Sequence, residues 1–162
     1  VTTGHCSNVP VGTKLETNGA LYFEQQIVPG EPVDVVILAT GYTYAFPFLD
    51  EEGVGLEFGE VRRYVAPLYQ HVLHAHHPSL SFVGIPLAVP CPLALFEAQS
   101  YFLASHLRNE WTSAAERQAW VDERLSTLAR TQDLHMLGGT TWDYMRELVR
   151  EAGMPEEEFL TY

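Results

Sequence analysis

Glu97 is the first side chain in this sequence whose setting calls for a chemical explanation. It stands in the run from Leu93 to Leu107, LALFEAQSYFLASHL, as the only charged residue before Arg108. A carboxylate in such apolar company must find a partner or lose several kcal/mol of hydration. Two readings stand: a structural hydrogen bond, or a polar group facing a ligand. Histidine supplies the second candidate, with His71, His74, His76 and His77 in the stretch QHVLHAHH. Histidine is the commonest metal ligand, yet neither paired cysteines nor helical His-x-x-x-His spacing accompanies these four. No Asp or Glu adjoins them to orient the rings. They are read as a partly exposed turn before Pro78, with His76 and His77 diverging wherever the backbone is extended. Cys91, between Pro90 and Pro92, is read as a small buried hydrophobe and not a thiolate. Nothing resembles a nucleophile elbow or a Walker loop. Gly53-Val-Gly55-Leu-Glu-Phe-Gly59 misses the dinucleotide spacing by one residue and follows an acidic loop, so it is read as a plain loop.

The remaining candidate is a turn. DVVILATGYTYAFPFLD, from Asp34 to Asp50, carries an apolar run that stops at Thr40-Gly41-Tyr42. Gly41 lets the chain turn sharply and approach a ligand closely. Thr40 offers a hydroxyl and a backbone N–H at the carboxyl end of a strand, where α/β sheets bind ligands.

The elements that must position these groups follow from periodicity. Val33 to Ala39 reads as a strand buried on both faces. Ala20 to Val28 reads as another, ended by Pro29-Gly30. A short strand fits Leu80 to Ile85, ended by Pro86. Leu93 to Leu107 is apolar almost all round, which predicts a buried helix. Ser113-Ala-Ala-Glu116 has the capping-box pattern and opens a stretch with Val121, Leu125 and Leu128 at helical spacing. Thr140-Thr141 is a second N-cap candidate. After it, Trp142, Met145, Leu148, Val149 and Ala152 form one apolar stripe, with Gly153 and Pro155 as a stop. The expected fold is mixed α/β, a small sheet from the first half covered by three helices of the second.

Composition bounds the partners. The 162 residues are 46% hydrophobic and 19% charged, a folded composition. With 9 Lys and Arg against 21 Asp and Glu the formal net charge is −12, which repels nucleic acid and anionic lipid. Two cysteines indicate no disulfide framework, and no apolar run approaches the ~20 residues of a membrane helix. A cytoplasmic location is expected. Val1-Thr2-Thr3-Gly4 has neither an initiator Met nor a signal pattern, and the expectation is a segment of something larger.

Four stretches, in order, carry a family resemblance. DVVILATGYTYAFPFLD closely resembles the Ala-Thr-Gly-Tyr motif that follows a strand in flavin-containing monooxygenases, with Pro-Phe-Leu shortly after. VAPLYQHVLHAHHPSLSFVGIP is similar to that family's Pro-Leu-Tyr segment and Phe-x-Gly strand. FEAQSYFLASHL resembles its Glu-x-Gln helix, and LHMLGGTTWDYMRELVREAG the closing segment of plant-type and microbial members. The resemblance implies a partial two-domain FAD/NAD(P)-binding flavoprotein fold. Residues 1–50 would be the end of the NADPH-binding domain and 51–162 the C-terminal part of the FAD-binding domain. It implies FAD and NADPH as cofactors, with Ala39, Thr40, Gly41, Tyr42, Glu97 and Gln99 as cofactor-binding residues. It implies oxygenation of a nitrogen or sulfur centre in a small nucleophilic substrate. The cofactor carries the chemistry in such enzymes, consistent with the lack of an obvious acid, base or nucleophile. The family's glycine-rich FAD and NADPH loops do not occur in these 162 residues. The alternative is therefore an inert fragment, or a subunit that completes a separate cofactor-binding chain. Its unmatched apolar faces would then favour self-association or a partner chain.

Overall fold

The structure, a computed structural model, describes residues 14–15, 21–23, 26–27, 41–109 and 112–155. The chain divides into two compact units, Val1–Gly41 and Tyr42–Tyr162. The strand expected at 33–39, the turn at Pro29-Gly30, and the site candidates Ala39 and Thr40 lie outside the described residues.

In the first unit, β1 (Lys14–Leu15), β2 (Leu21–Phe23) and β3 (Gln26–Ile27) make an antiparallel meander. Tyr22 of β2 lies opposite Lys14 on one side and Ile27 on the other. The single strand expected from Ala20 to Val28 is thus two strands, with Phe23 paired to Gln26. The polar run Glu24-Gln25-Gln26 divides two apolar ends, and a two-residue separation is what a tight hairpin requires.

The second unit opens with an irregular segment tied down by one carboxylate. Glu51 accepts from the Phe46 N–H at 2.7 Å and from Arg62 Nη2 at 2.9 and 2.8 Å. The glycine stretch beyond it is a succession of turns, with Gly55 and Gly59 at positive φ. A hairpin follows, β4 (Leu68–Tyr69) against β5 (Leu73–His74), Tyr69 opposite Leu73. The strand expected at Leu80 to Ile85 is reduced to a bridge between Ser81 and Leu73, extended by Phe82 N–H donating to Val72 C=O at 2.8 Å. Gly84, at φ 86°, and Pro86 end it.

Three helices complete the unit: α1 (Pro92–Arg108), α2 (Ala114–Thr127) and α3 (Thr141–Glu151). Proline opens α1, where its missing N–H costs nothing. The capping box at Ser113 and Glu116 forms as the pattern predicts. Thr140 does not cap α3 through its side chain; its Oγ1 donates instead to Leu137 C=O at 2.8 Å, within the 3-10 turn Gly138–Thr140 that leads into the helix. At the other end, Gly153 N–H donates to Arg150 C=O and Met154 N–H to Val149 C=O. This is the paired closure that a left-handed glycine allows, with Gly153 at φ 73°.

Two apolar clusters form the interior. In the first, Leu95, Ala98 and Phe102 of α1 meet Tyr144, Met145, Leu148 and Val149 of α3 over Tyr69, Val72 and Leu73. The second gathers Leu56, Phe58, Val65, Leu68, Phe82 and Ile85. The buried stripe of α3 is therefore rotated from the expected one: Thr141 and Tyr144 face inward, and Trp142 is exposed. A hydroxyl with a partner inside can be buried where the larger indole cannot fit. The expectation that α1 is buried on every side is not met. Leu95, Ala98, Gln99, Phe102 and His106 are buried, whereas Leu93 is 77% and Leu107 64% exposed, and Phe96 and Tyr101 are also exposed. α3 covers one side of α1 and leaves the opposite apolar side bare. Among the described residues no helix is long and apolar enough to cross a membrane.

This division of α1 predicts unequal mutational costs. Phe102→Ala should destabilise the chain by about 3–5 kcal/mol, as a large side chain lost from a closed core. Leu93→Ala should stay within about 0.5 kcal/mol. Urea unfolding of both variants checks this, and equal losses would contradict the packing described.

Candidate functional site

Gln99 organises the polar interior. Its side chain is completely buried, and the Gly84 N–H donates to its Oε1 at 2.8 Å. Its Nε2 donates at 3.1 Å to the Tyr144 hydroxyl, which in turn donates to the Gln70 backbone carbonyl. Burial pushes the Tyr144 hydroxyl above its ordinary range, so it keeps the proton it donates. One amide thus links the Gly84 turn, α1, α3 and the β4–β5 turn. Gly84 is required there: a Cβ would come within 2.9 Å of the Phe96 ring, and the backbone stands at φ 86°.

The β4–β5 turn holds Gln70 and His71 at φ 49° and 56°, both left-handed. A turn of this hand normally takes Asn-Gly, and each non-glycine residue costs ~1–2 kcal/mol. Three sets of contacts hold it: Tyr144 on the Gln70 carbonyl, Gln70 Nε2 donating to Glu147 (3.1 Å) and Glu151 (2.6 Å), and His71. His71 Nδ1 lies 2.9 Å from His135 Nδ1, both rings buried. His135 Nε2 lies 3.1 Å from the Val65 N and 3.0 Å from the Val65 O. One proton between the two Nδ1 atoms satisfies a neutral pair, and a second proton would set two donors face to face. Burial, then the neighbouring His135, then Arg124 hold His71 well below the ordinary histidine range. Burial pushes His135 down to about 4.

The histidine cluster is partly exposed, as expected, and its exposure is divided sharply along the chain. His71 and His74 are buried, and only His76 and His77 face solvent. His74 Nδ1 accepts from the backbone N–H of His76 and His77 at 3.2 and 3.1 Å, while His71 turns to His135. The first two histidines have become polar pegs inside a hairpin and its following loop. Among the described residues no group of three or more His, Cys, Asp or Glu is arranged to hold a metal ion.

The other sequence candidates scatter. Gly41 stands at φ 78° with nothing among the described residues within 4 Å of where a Cβ would be, and Tyr42 is 97% exposed. Glu97 and Gln99, two residues apart on α1, project to opposite sides. Gln99 points into the interior, whereas half-exposed Glu97 accepts a long 3.4 Å bond from the Tyr101 hydroxyl at the surface. The structural reading of a buried polar group belongs to Gln99, and Glu97 is left at the surface. Cys91 is half exposed and not buried; it occupies the N-cap of α1 without a side-chain cap bond. The first turn of α1 holds no acidic residue, although the chain has 21. Its N-terminus is therefore an open, positively polarised end suited to an electron-rich or anionic group. Tyr144, His135 and Gln70 were not singled out from sequence. Tyr144 falls outside the apolar stripe expected for α3, and its partner Gln99 is 45 residues away, so no local spacing pointed to it.

The model of the family described as flavin-binding monooxygenase-like matches residues 4–133. A GS-OX-like flavin-containing monooxygenase of Arabidopsis thaliana is 33% identical over 135 residues, 78% of this chain and 29% of that protein. Senecionine N-oxygenase of Tyria jacobaeae is 30% identical over 159 residues, 94% of this chain and 33% of that protein. In three dimensions the S-allyl-L-cysteine S-oxygenase of Allium sativum matches with a TM-score of 0.74 and 30% identity, over 96% of this chain and 38% of that one. The chain thus spans about a third of the length of these relatives. The match bears out the family resemblance and the partial α/β flavoprotein fold.

Two outcomes follow from the buried network. Tyr144→Phe removes the donor to Gln70 and the acceptor for Gln99, and should cost about 1–3 kcal/mol in urea unfolding. Full stability in that variant would show that the hydroxyl does not hold the turn. The histidines set a pH dependence. In the unfolded chain they take up protons near pH 6.5, while His135 and His74 in the fold do so only near 4. Between these values the unfolded chain binds more protons, so stability should fall as the pH drops from about 6.5 towards 4. His135→Gln should flatten that slope, measured as the urea midpoint against pH.

Proposed function

Because the chain belongs to the flavin-binding monooxygenase-like family, we propose that it forms part of an FAD- and NADPH-dependent monooxygenase acting on a nitrogen or sulfur centre of a small molecule. The observation that carries this reading is the agreement with an S-oxygenase over 96% of the chain. The senecionine N-oxygenase match extends the substrate class to nitrogen. In this reading residues 1–50 end the NADPH-binding domain and 51–162 belong to the FAD-binding domain. The chain's own division after Gly41 supports a boundary in that stretch. A cytoplasmic location belongs to the same proposal.

The residues present fit part of a flavin site. The open N-terminus of α1, at Cys91-Pro92-Leu93, would face the electron-rich edge of the flavin. Gln99 would act as a positioning residue, fixing the Gly84 turn against α1. Glu97, on the outer side of the same helix, would be within a ligand's reach. Ala39, Thr40, Gly41 and Tyr42 would lie along the nicotinamide, where the bare backbone at Gly41 permits close approach. Bound FAD, reduced by NADPH, would supply the oxygen-transfer chemistry. The chain's own part is to orient the cofactor and, with its apolar surface, to exclude water. Glycine loops for the cofactor phosphates are not among these residues, so the phosphates would be held elsewhere, in the same polypeptide or in another chain.

The exposed side of α1 favours the companion reading that the 162 residues are inert alone and complete a cofactor-binding body. Among the described residues Leu93, Phe96 and Leu107 lie along it as exposed apolar side chains. The occupant proposed is that cofactor-binding body, and self-association is the expected substitute when it is missing.

After incubation with FAD and removal of the unbound flavin, the purified 162-residue chain should be colourless, should not consume NADPH, and should self-associate in light scattering. Leu93→Glu with Leu107→Glu should restore a monomer. Flavin-dependent NADPH oxidation by this chain alone would overturn the companion reading. The monooxygenase reading is tested on the chain joined to its cofactor-binding body. A yellow preparation that forms neither a sulfoxide nor an N-oxide from small thioethers and amines would sink it.

A further inference from the structure

We propose that the cavity between α2, α3 and the Gln70-His71 turn binds a small zwitterion, a carboxylate that also carries an ammonium group. The cavity measures ≈ 190 Å³. At about 30 Å³ per water it would hold about six waters or one small organic molecule. Its two helices bring opposite and incomplete chemistries. Arg124 comes from α2, and its guanidinium makes no ion pair among the described residues, its buried Nε lacking any hydrogen-bond partner. A guanidinium beside a cavity wall and without an anion is suited to a carboxylate. α3 contributes Asp143 and Glu147. Asp143 is engaged by Arg146 and Glu147 by Gln70, yet each carboxylate accepts more than one donor. Gln70, itself buried, keeps its Oε1 without a donor. One side of the cavity therefore lacks an anion and the other lacks a donor. A simple anion would be repelled by Asp143 and Glu147, and a simple cation by Arg124; a molecule with both ends answers both sides. Trp120 and Leu137 offer apolar wall for the carbons between. The inference does not rest on the flavin reading, because none of the residues it uses is given a role there.

The test uses the ¹⁵N-labelled 162-residue chain, titrated with L-serine as the probe and with acetate and methylammonium as single-ended comparators. The Arg124 Nε–H and Trp120 indole signals should shift saturably with L-serine, and at least tenfold more weakly with either comparator. Arg124→Gln should lose at least tenfold in apparent affinity with amides remote from the cavity unchanged. Arg124→Lys, which keeps the charge but not the planar fork, should weaken binding by an intermediate factor and serves if the glutamine variant does not fold. No saturable shift with L-serine would overturn the proposal, leaving the cavity to water. So would acetate binding as tightly as L-serine, or an unchanged response in both Arg124 variants.

Discussion

A buried primary amide must use both of its ends, and in this chain that requirement falls on Gln99. Its oxygen takes the Gly84 N–H and its nitrogen reaches the Tyr144 hydroxyl, which continues to the Gln70 carbonyl. Unpaired, each of these groups would cost roughly 1–3 kcal/mol of desolvation. Four segments far apart in sequence are thereby held to one arrangement. The apolar cluster around Phe102 and Met145 supplies the larger attraction, but it would tolerate small slips of α3 along α1. The hydrogen-bond chain does not, because a slip of α3 would part the Tyr144 hydroxyl from both Gln99 and the Gln70 carbonyl.

The left-handed turn at Gln70 and His71 is the consequence. Neither residue prefers that backbone, and the turn exists because α3 and the loop carrying His135 grip it from two sides. The neutral histidine pair extends the same logic. Two rings sharing one proton are satisfied without water, while a charged ring in that place would be both desolvated and opposed by its neighbour. The cavity beside the turn lies between α2 and α3, and Glu147 on its wall also takes a hydrogen bond from Gln70 of the turn.

The uneven exposure of α1 connects the fold to the family assignment. One side makes the core with α3, and the other leaves Leu93, Phe96 and Leu107 in solvent. Such a face suits a helix that has a neighbour on both sides in a larger body, and these residues span about a third of the relatives' length. The open N-terminus of the same helix, free of acid in a strongly acidic chain, joins that face.

Local rules were legible in the residues themselves. The capping box at Ser113 and Glu116, the glycine closure after α3 and the four family stretches depend on neighbours in sequence, whose spacing can be read directly. The short, polar-interrupted hairpin of β2 and β3 was misread as one strand because period-two alternation does not mark where a strand folds back. Which face of an all-apolar helix is covered, whether Glu97 or Gln99 turns inward, and which two of four histidines are buried were decided by tertiary structure alone. Those outcomes depend on partners at separations of 15 to 74 residues, Gly84 for Gln99 and Gln70 for Tyr144 among them. A side chain's type records what it can bond to. Only the packed chain determines which partner comes within reach and whether water is left to compete.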